Sequence, residues 1–437
     1  MFVRYCKPLK HSRRCYSTFE TLGISPATCQ KLKSNFNIIR PTLAQEQFIP
    51  LLLEGKRDIL LRDNTGTGKS FGIAITLASL IPSEVKVHKS VHSIYIAPNQ
   101  ELALQIGHWI QKLTDTPNVK LCAGLSEEEY STIPHTVIGT PGRILDIINE
   151  GKLPTHAFDR LIIDEADQAF ALPKRYAPVR QQNKRAKHPK PAQLLLDKLL
   201  LESNNNQKIK RQLMVASATL NRPLRHFVTS QKGWLRSDPL FVDISKGTRM
   251  SEVVPVQHHC LLISDDAIRN LQTEAKQEEK APSVDFDDTD DRMIDSIAAL
   301  QEVEPVRNGI LFIDSATSVE KLRDKLASYN VKALNIKDYA HQAQQQHDEK
   351  SNSLWIATEF SARGIDIPNV SHVFILGQPS SPASYLHMAG RTGRLGPEGF
   401  RSGKVISLIR EQGWTEAKMA NMYKLLDIPL KQYEYVQ

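Results

Sequence analysis

The chain has 437 residues, 41% hydrophobic and 24% charged, which at roughly 100–200 residues per domain predicts two to four domains with room for buried cores. A small disulfide scaffold and wholesale disorder are excluded, and no apolar run reaches the roughly 18 residues that a membrane-spanning helix needs. The formal charge of +8 is concentrated: residues 1–19 hold five Lys and Arg and residues 171–190 hold seven, with no acid in either, so the remainder is net negative and an evenly basic nucleic-acid coat is not present.

Residues 1–18 interleave these cations with Phe2, Val3, Tyr5, Leu9 and Tyr16 and lack carboxylates, the composition of an organelle transit peptide. Arg14-Cys15-Tyr16 before Ser17 resembles a presequence processing site, so residues 1–16 are expected to be a transit peptide and the mature chain to reside in the mitochondrial matrix. The competing reading is a basic arm touching nucleic acid, with Pro8 interrupting any helix. No continuous apolar segment of a secretory signal is present.

From residue 36 short apolar runs alternate with helical patterns, as parallel strands joined by crossover helices do. Strands are expected at Asp58–Leu61, Ser93–Ala97, Thr136–Gly139, Arg160–Asp164, Gln212–Ser217 and Leu240–Ile244. A second set is expected at Val256–Ile263, Gly309–Ile313, Ser353–Ala357, Val373–Gly377 and Gly403–Ser407. Each half reads as an open α/β sheet, with one domain over 17–245, a polar linker over 246–254 and a second domain over 255–437. Two insertions break the rhythm. Residues 171–190 contain Pro173, Pro178 and Pro189 and are expected to be poor helix material. Residues 265–308 carry Asp285, Asp287, Asp288, Asp290 and Asp291 and are expected to loop out as a solvated acidic insertion. The five cysteines form no Cys-x-x-Cys pair, so they read as reduced and structural.

Two strings carry the chemistry. Asp63-Asn64-Thr65-Gly66-Thr67-Gly68-Lys69-Ser70 follows a strand and opens a helix. In such a loop backbone N–H groups wrap phosphates, Lys69 reaches the outer phosphates and the Ser70 hydroxyl coordinates Mg²⁺. Leu161-Ile162-Ile163-Asp164-Glu165-Ala166-Asp167 delivers carboxylates at the C-terminal edge of a strand, where α/β sheets bind ligands. Asp164 suits Mg²⁺ and Glu165 suits the polarisation of an attacking water.

Asp164-Glu165-Ala166-Asp167 resembles the motif that names the DEAD-box RNA helicases, and the resemblance extends over about residues 19–425. Phe19, Pro41-Thr42 and Gln45 resemble the family's Q motif, whose glutamine reads adenine. Pro98-Asn99-Gln100-Glu101-Leu102-Ala103 and Thr140-Pro141-Gly142-Arg143 are similar to its strand-binding motifs, and Ser217-Ala218-Thr219 to the motif coupling ATP to RNA. Ala362-Arg363-Gly364-Ile365-Asp366 and His387-Met388-Ala389-Gly390-Arg391-Thr392-Gly393-Arg394 resemble the last two motifs.

The resemblance implies an α/β fold of two tandem RecA-like domains, each a parallel sheet flanked by helices, and an RNA-dependent ATPase and helicase using ATP and Mg²⁺. It implies ATP contacts by Gln45, Thr65, Gly66, Thr67, Gly68, Lys69, Ser70, Gly364 and Asp366, and a metal held at Ser70 and Asp164. Catalytic roles fall to Glu165, Ser217, Thr219, Arg391 and Arg394, and RNA contacts to Pro98, Thr140, Gly142, Arg143 and Thr358. The partner is then RNA, a single strand or short duplex, gripped by a monomer, with the basic insertion as a candidate auxiliary contact.

Several positions depart from the family pattern: Asp63 opens the phosphate loop, Ile38 stands where an aromatic stacks on adenine, Asn99 and Gln100 replace Thr and Arg, Met388 replaces an arginine, and 335–352 is short. With the transit-like start, these resemble fungal mitochondrial members acting in assembly of the large mitoribosomal subunit, which implies structured ribosomal RNA and ribonucleoprotein partners. The alternative is a nucleotide-gated RNA scaffold that scarcely turns over ATP.

Overall fold

The chain is described from a computed structural model, over residues 17–63, 66–82, 90–115, 118–122, 133–155, 158–173, 177–201, 211–236, 238–244, 256–272, 290–304, 306, 308–339, 353–362, 367, 369–396, 399–411 and 414–436. The expected transit peptide and linker lie outside these residues, as do Thr65, Gly364 and Asp366.

In the first half, β1 (Ile59–Arg62), β2 (Ser93–Ile96), β3 (Val119–Cys122), β4 (Thr136–Gly139), β5 (Arg160–Ile163), β6 (Gln212–Ser217) and β7 (Leu240–Asp243) form one sheet in the order β3-β4-β2-β5-β6-β1-β7. Every pairing is parallel. Its central strands are largely apolar because helices cover both faces. Side chains alternate between two cores: Leu60, Ile94, Val137, Leu161, Ile163 and Val215 on one face, and Ile59, Leu61, Tyr95, Ile138, Ile162 and Met214 on the other.

In the second half, β8 (Val256–Ile263), β9 (Ile268–Asn270), β10 (Gly309–Ile313), β11 (Ala333–Asn335), β12 (Leu354–Thr358), β13 (His372–Leu376) and β16 (Gly403–Arg410) form a second sheet, β11-β12-β10-β13-β16-β8-β9. It is parallel apart from the edge strand β9, which runs against β8. A small hairpin, β14 (Leu395–Gly396) with β15 (Gly399–Phe400), stands apart. Trp355, Phe312, Val373 and Ile375 fill one face, and Leu311, Ile356, Phe374 and Leu376 the other.

Two expectations are corrected. Within 171–190 the structure forms a helix, Val179–Lys187, because the prolines flank it instead of interrupting it: Pro178 is its N-cap and Pro189 lies beyond its end. The span 265–308 is not a solvent loop throughout. It holds β9 and an amphipathic helix, Asp291–Val303, that buries Met293, Ile294, Ile297 and Leu300 in the core. Asp290 caps that helix by accepting the Arg292 N–H and pairs with Arg410 at 3.3 Å, so part of the acidic run serves the fold. Residues 273–289 of it lie outside the described residues.

Candidate functional site

All the chemistry gathers at the C-terminal ends of the first sheet's strands, where crossover loops leave the edge open. After β1, Gly66 (φ 80°) and Gly68 (φ 88°) take left-handed conformations that only glycine adopts freely, turning the loop back on the N-terminus of the helix Lys69–Leu80. That helix end presents unpaired N–H groups and the positive end of its dipole to an anion. Lys69 is nearly buried, its Nζ donating to the Asp63 carbonyl at 3.0 Å.

Two of the departures explain themselves here. The Asp63 carboxylate is 1% exposed and accepts the Thr67 hydroxyl. It is therefore turned into the body of the loop, while Arg62 faces Asp243 at 3.6 Å. Asn99 is the N-cap of the helix Gln100–Leu113, accepting the Leu102 N–H at 2.9 Å. Gln45 sits at the third position of a capping box: its Oε1 accepts the Thr42 N–H at 3.0 Å and its Nε2 donates to the Gly68 carbonyl at 3.1 Å. The Thr42 hydroxyl donates to the Thr67 carbonyl at 3.1 Å. This glutamine thus braces the phosphate loop, and a Cβ at Gly68 would stand 2.9 Å from its Nε2.

Beyond β5, Asp164 is fully buried and its Oδ2 accepts both the Ser70 hydroxyl at 2.6 Å and the Tyr95 hydroxyl at 2.7 Å. Burial and the neighbouring Asp164 push the Tyr95 hydroxyl well above its ordinary range, which keeps it a donor. A hydroxyl and a carboxylate converging beside a phosphate loop are the oxygen donors that Mg²⁺ prefers, so Ser70 and Asp164 fit as its holders. Glu165 has φ 45°, a left-handed backbone uncommon for a side-chain-bearing residue, where the chain turns from strand into the helix Ala166–Phe170. Burial raises its carboxyl above the ordinary value against the opposing pull of His387 and Arg391, the direction expected of a proton acceptor.

Asp167 ties the two halves together. It accepts the Ser217 hydroxyl at 2.8 Å, the Thr219 hydroxyl, and His387 Nε2 at 3.4 Å. Burial pushes this carboxyl up, yet the His387, Thr219 and Ser217 donors outweigh it and hold it at about 2. His387 comes from the second half, on the helix Pro382–Ala389, and also meets Gln168 Nε2 at 3.2 Å from Nδ1. A cavity of about 290 Å³ lies along this seam, lined by Gly66, Lys69, Ser70, Asp164 and Glu165 from one side and His387, Gly390, Arg391 and Arg394 from the other, a size near the lower end for small-molecule sites. The Arg394 Nε donates to the Gly390 carbonyl at 3.2 Å.

Sequence reasoning missed the apolar end of this cavity. Phe36, Phe71 and Trp109 pack edge to face, with centroids 5.2 and 5.1 Å apart, and line the cavity beside Ile38. Phe71 directly after Ser70 was the available signal. The Pro98 and Thr140–Arg143 positions follow β2 and β4 on the same edge as the phosphate loop. Thr358, at the end of β12, exchanges hydrogen bonds with Ser361 and is on the second sheet, apart from Thr140. Met388 is buried in the second core, which explains why an apolar residue fits there. A further cavity of about 630 Å³ opens beside Thr317, Lys321 and Phe360.

Comparison with known proteins gives one answer. The DEAD/DEAH box helicase family profile matches residues 42–227 and the helicase conserved C-terminal domain profile residues 291–396. The chain is 26% identical over 397 residues to the DEAD-box ATP-dependent RNA helicase CshA of Bacillus cereus, a match that takes in 88% of this chain and 64% of that protein, less than two thirds of its length. Among solved structures, S. cerevisiae Dbp5 bound to RNA and ADP BeF3 superposes with a TM-score of 0.67 at 21% identity, covering 95% of each chain. Mss116p bound to ssRNA and AMP-PNP superposes at 0.69 and 20%, covering 97% of this chain and 81% of that one. These likenesses establish the fold as two RecA-like domains.

Proposed function

We propose that this chain, a member of the DEAD-box helicases of superfamily 2, is an ATP-dependent RNA helicase whose site is complete only when the two domains close on nucleotide and RNA. One observation carries the reading: the phosphate loop and Glu165 stand on the first domain while Arg391 and Arg394 come from the second, and all line one cavity. The first domain alone positions phosphates, and the second supplies guanidinium groups for the charge that builds on a transferring phosphoryl group. Glu165 polarises the attacking water, its raised carboxyl suiting that proton. Mg²⁺ held at Ser70 and Asp164 would neutralise phosphate charge. The RNA strand runs over the Pro98 and Thr140–Arg143 edge, and the Ser217–Asp167–His387 bridge links that edge to closure. The second reading, an RNA clamp with little turnover, rests on the whole set of departures from the family pattern, one of which, Asp63, turns its carboxylate to Thr67.

The finer proposal is a mitochondrial helicase remodelling ribosomal RNA during assembly of the large mitoribosomal subunit. It is supported by the acid-free basic composition of residues 1–18 and by the altered motifs. N-terminal sequencing of the protein recovered from mitochondria tests the location, and the absence of the protein from that fraction refutes it. The activity is tested by phosphate release with Mg²⁺ and ATP, comparing RNA with DNA of one sequence, since the 2′-OH distinguishes them. RNA should stimulate, and Glu165→Gln should bind ATP and RNA yet stall. Equal turnover by wild type and Glu165→Gln would overturn the assignment of the base.

A further inference from the structure

The basic helix Val179–Lys187 has two faces with different tasks. Arg185 turns inward, its Nη2 donating to the carbonyls of Phe170 at 3.1 Å and Ala171 at 2.6 Å. These carbonyls end the helix that starts at the Asp-Glu-Ala-Asp motif, and a cation at a helix C-terminus is favoured there. Arg180, Lys184 and Lys187, spaced i, i+4 and i+7, share the opposite stripe and are exposed. No carboxylate pairs with them among the described residues. Lys190, also exposed, follows three residues on. The next residue, Pro191, opens a short helix that buries Ala192, Leu195 and Leu196 against Ile144 and Ile147. A Cβ at Gly142 would lie 4.0 Å from the Pro191 Cβ. The basic stripe is therefore fastened at one end to the carboxylate motif and at the other to the helix Pro141–Asn149, whose first turn is Thr140–Arg143.

We propose that Arg180, Lys184, Lys187 and Lys190 form a second phosphate-binding surface that continues the Thr140–Arg143 edge and holds RNA backbone flanking the strand gripped in the core. The inference rests on the RNA reading above and adds an occupant for this basic stripe. Charge complementarity selects a polyanion, and continuity with the strand-contact edge at Thr140–Arg143 selects the same RNA over a separate acidic protein. Contacts of this kind are sequence-independent and salt-sensitive.

The test uses the full chain with all four residues replaced, Arg180→Ser, Lys184→Ser, Lys187→Ser and Lys190→Ser, and RNA affinity measured with AMP-PNP between 50 and 200 mM salt. A strand just filling the core and one extended well beyond it are compared. Four lost single-strand contacts at ~0.7 each lower the salt slope by about 3, so across this range the wild type should lose roughly 50-fold more affinity for the long strand than the variant does. Stimulation of ATP turnover by the short strand should be the same in both proteins, and lysine-to-arginine replacements at 184, 187 and 190 should keep the wild-type slope. If the wild type is stimulated by RNA but the variant matches its slope and affinity on the long strand, the surface does not bind RNA, and an acidic partner is then the better occupant. If RNA fails to bind or stimulate the wild type at all, the functional reading falls first.

Discussion

Replacing His387 with alanine should open the molecule without harming either domain. In the closed arrangement His387 Nε2 is 3.4 Å from Asp167 Oδ2, with the two side chains only 7% and 14% exposed. The same imidazole also meets Gln168 Nε2 at 3.2 Å. A hydrogen bond to a charged group contributes about 1.5–3 kcal/mol, and 3.4 Å places this one at the low end; the lost Gln168 contact adds about 1. Closure should weaken by about 2.5 kcal/mol, or roughly 60-fold in its equilibrium constant. Asp167 keeps Ser217 and Thr219, so the first domain should melt as before. Fluorescence transfer between dyes on the two domains, titrated with RNA in the presence of AMP-PNP, reads the midpoint directly. The sign of any pH effect follows from the depressed carboxyl. With Asp167 held at about 2 against an ordinary 3.8, its contribution is full above the ordinary value and lost only as pH falls through about 2, so closure should not vary with Asp167 between pH 5 and 9. A midpoint shifted less than threefold in the alanine variant would refute this contact as the latch.

Arg391→Lys and Arg394→Lys should leave nucleotide binding in place yet lower RNA-stimulated turnover by ~10³-fold or more, because one ammonium does not reproduce the planar fork; normal turnover in both variants would refute the shared-cleft mechanism. Asp63→Ala should not tighten ATP binding. It leaves the buried Thr67 hydroxyl without its acceptor, costing about 1–3 kcal/mol, whereas Asp63→Asn keeps an acceptor, and a tighter ATP affinity in the alanine variant would show that the carboxylate meets the phosphates. Gly403→Ala would set a Cβ 2.0 Å from Thr392 Oγ1, whose hydroxyl donates to the Val370 carbonyl at 2.6 Å. Overpacking of about 1–3 kcal/mol should lower the melting temperature by roughly 3–10 °C, measurable by calorimetry.

The strands were legible because both sheets are covered on both faces, so apolar runs such as Leu161-Ile162-Ile163 and Gly309–Ile313 stand out from their surroundings. The edge strands β3, β9 and β11 were not, although the edge strand β7 was. Lys120 interrupts the apolar residues of β3, and β11 has only three residues and ends at Asn335, as edges that face solvent allow. The helix Asp291–Val303 was hidden by reading acids as solvent-loving, although Met293, Ile294, Ile297 and Leu300 already carry helical spacing. Loop chemistry could be read from its residue types, as at Ser70 and Asp164. The directions of side chains could not, since Asp63 and Gln45 are decided by partners brought near only by the turn between β1 and its helix.

Those two residues also show how the departures fit a working site. An acid at the head of a phosphate loop repels ATP only if it faces the ligand, and Asp63 instead accepts a hydroxyl from Thr67 within its own turn. The loop gains an internal brace where a glycine would have left it free. Gln45 adds a second brace from outside, through Gly68. Bracing the loop from both sides reduces the ordering that nucleotide binding must supply, while the aromatic group of Phe36, Phe71 and Trp109 provides the apolar wall that Ile38 alone would not. The domains meet where His387 reaches a carboxylate already held by Ser217 and Thr219. On the proposed function, turnover would be set by closure, and RNA would control the rate to the extent that it favours the closed form over the open one.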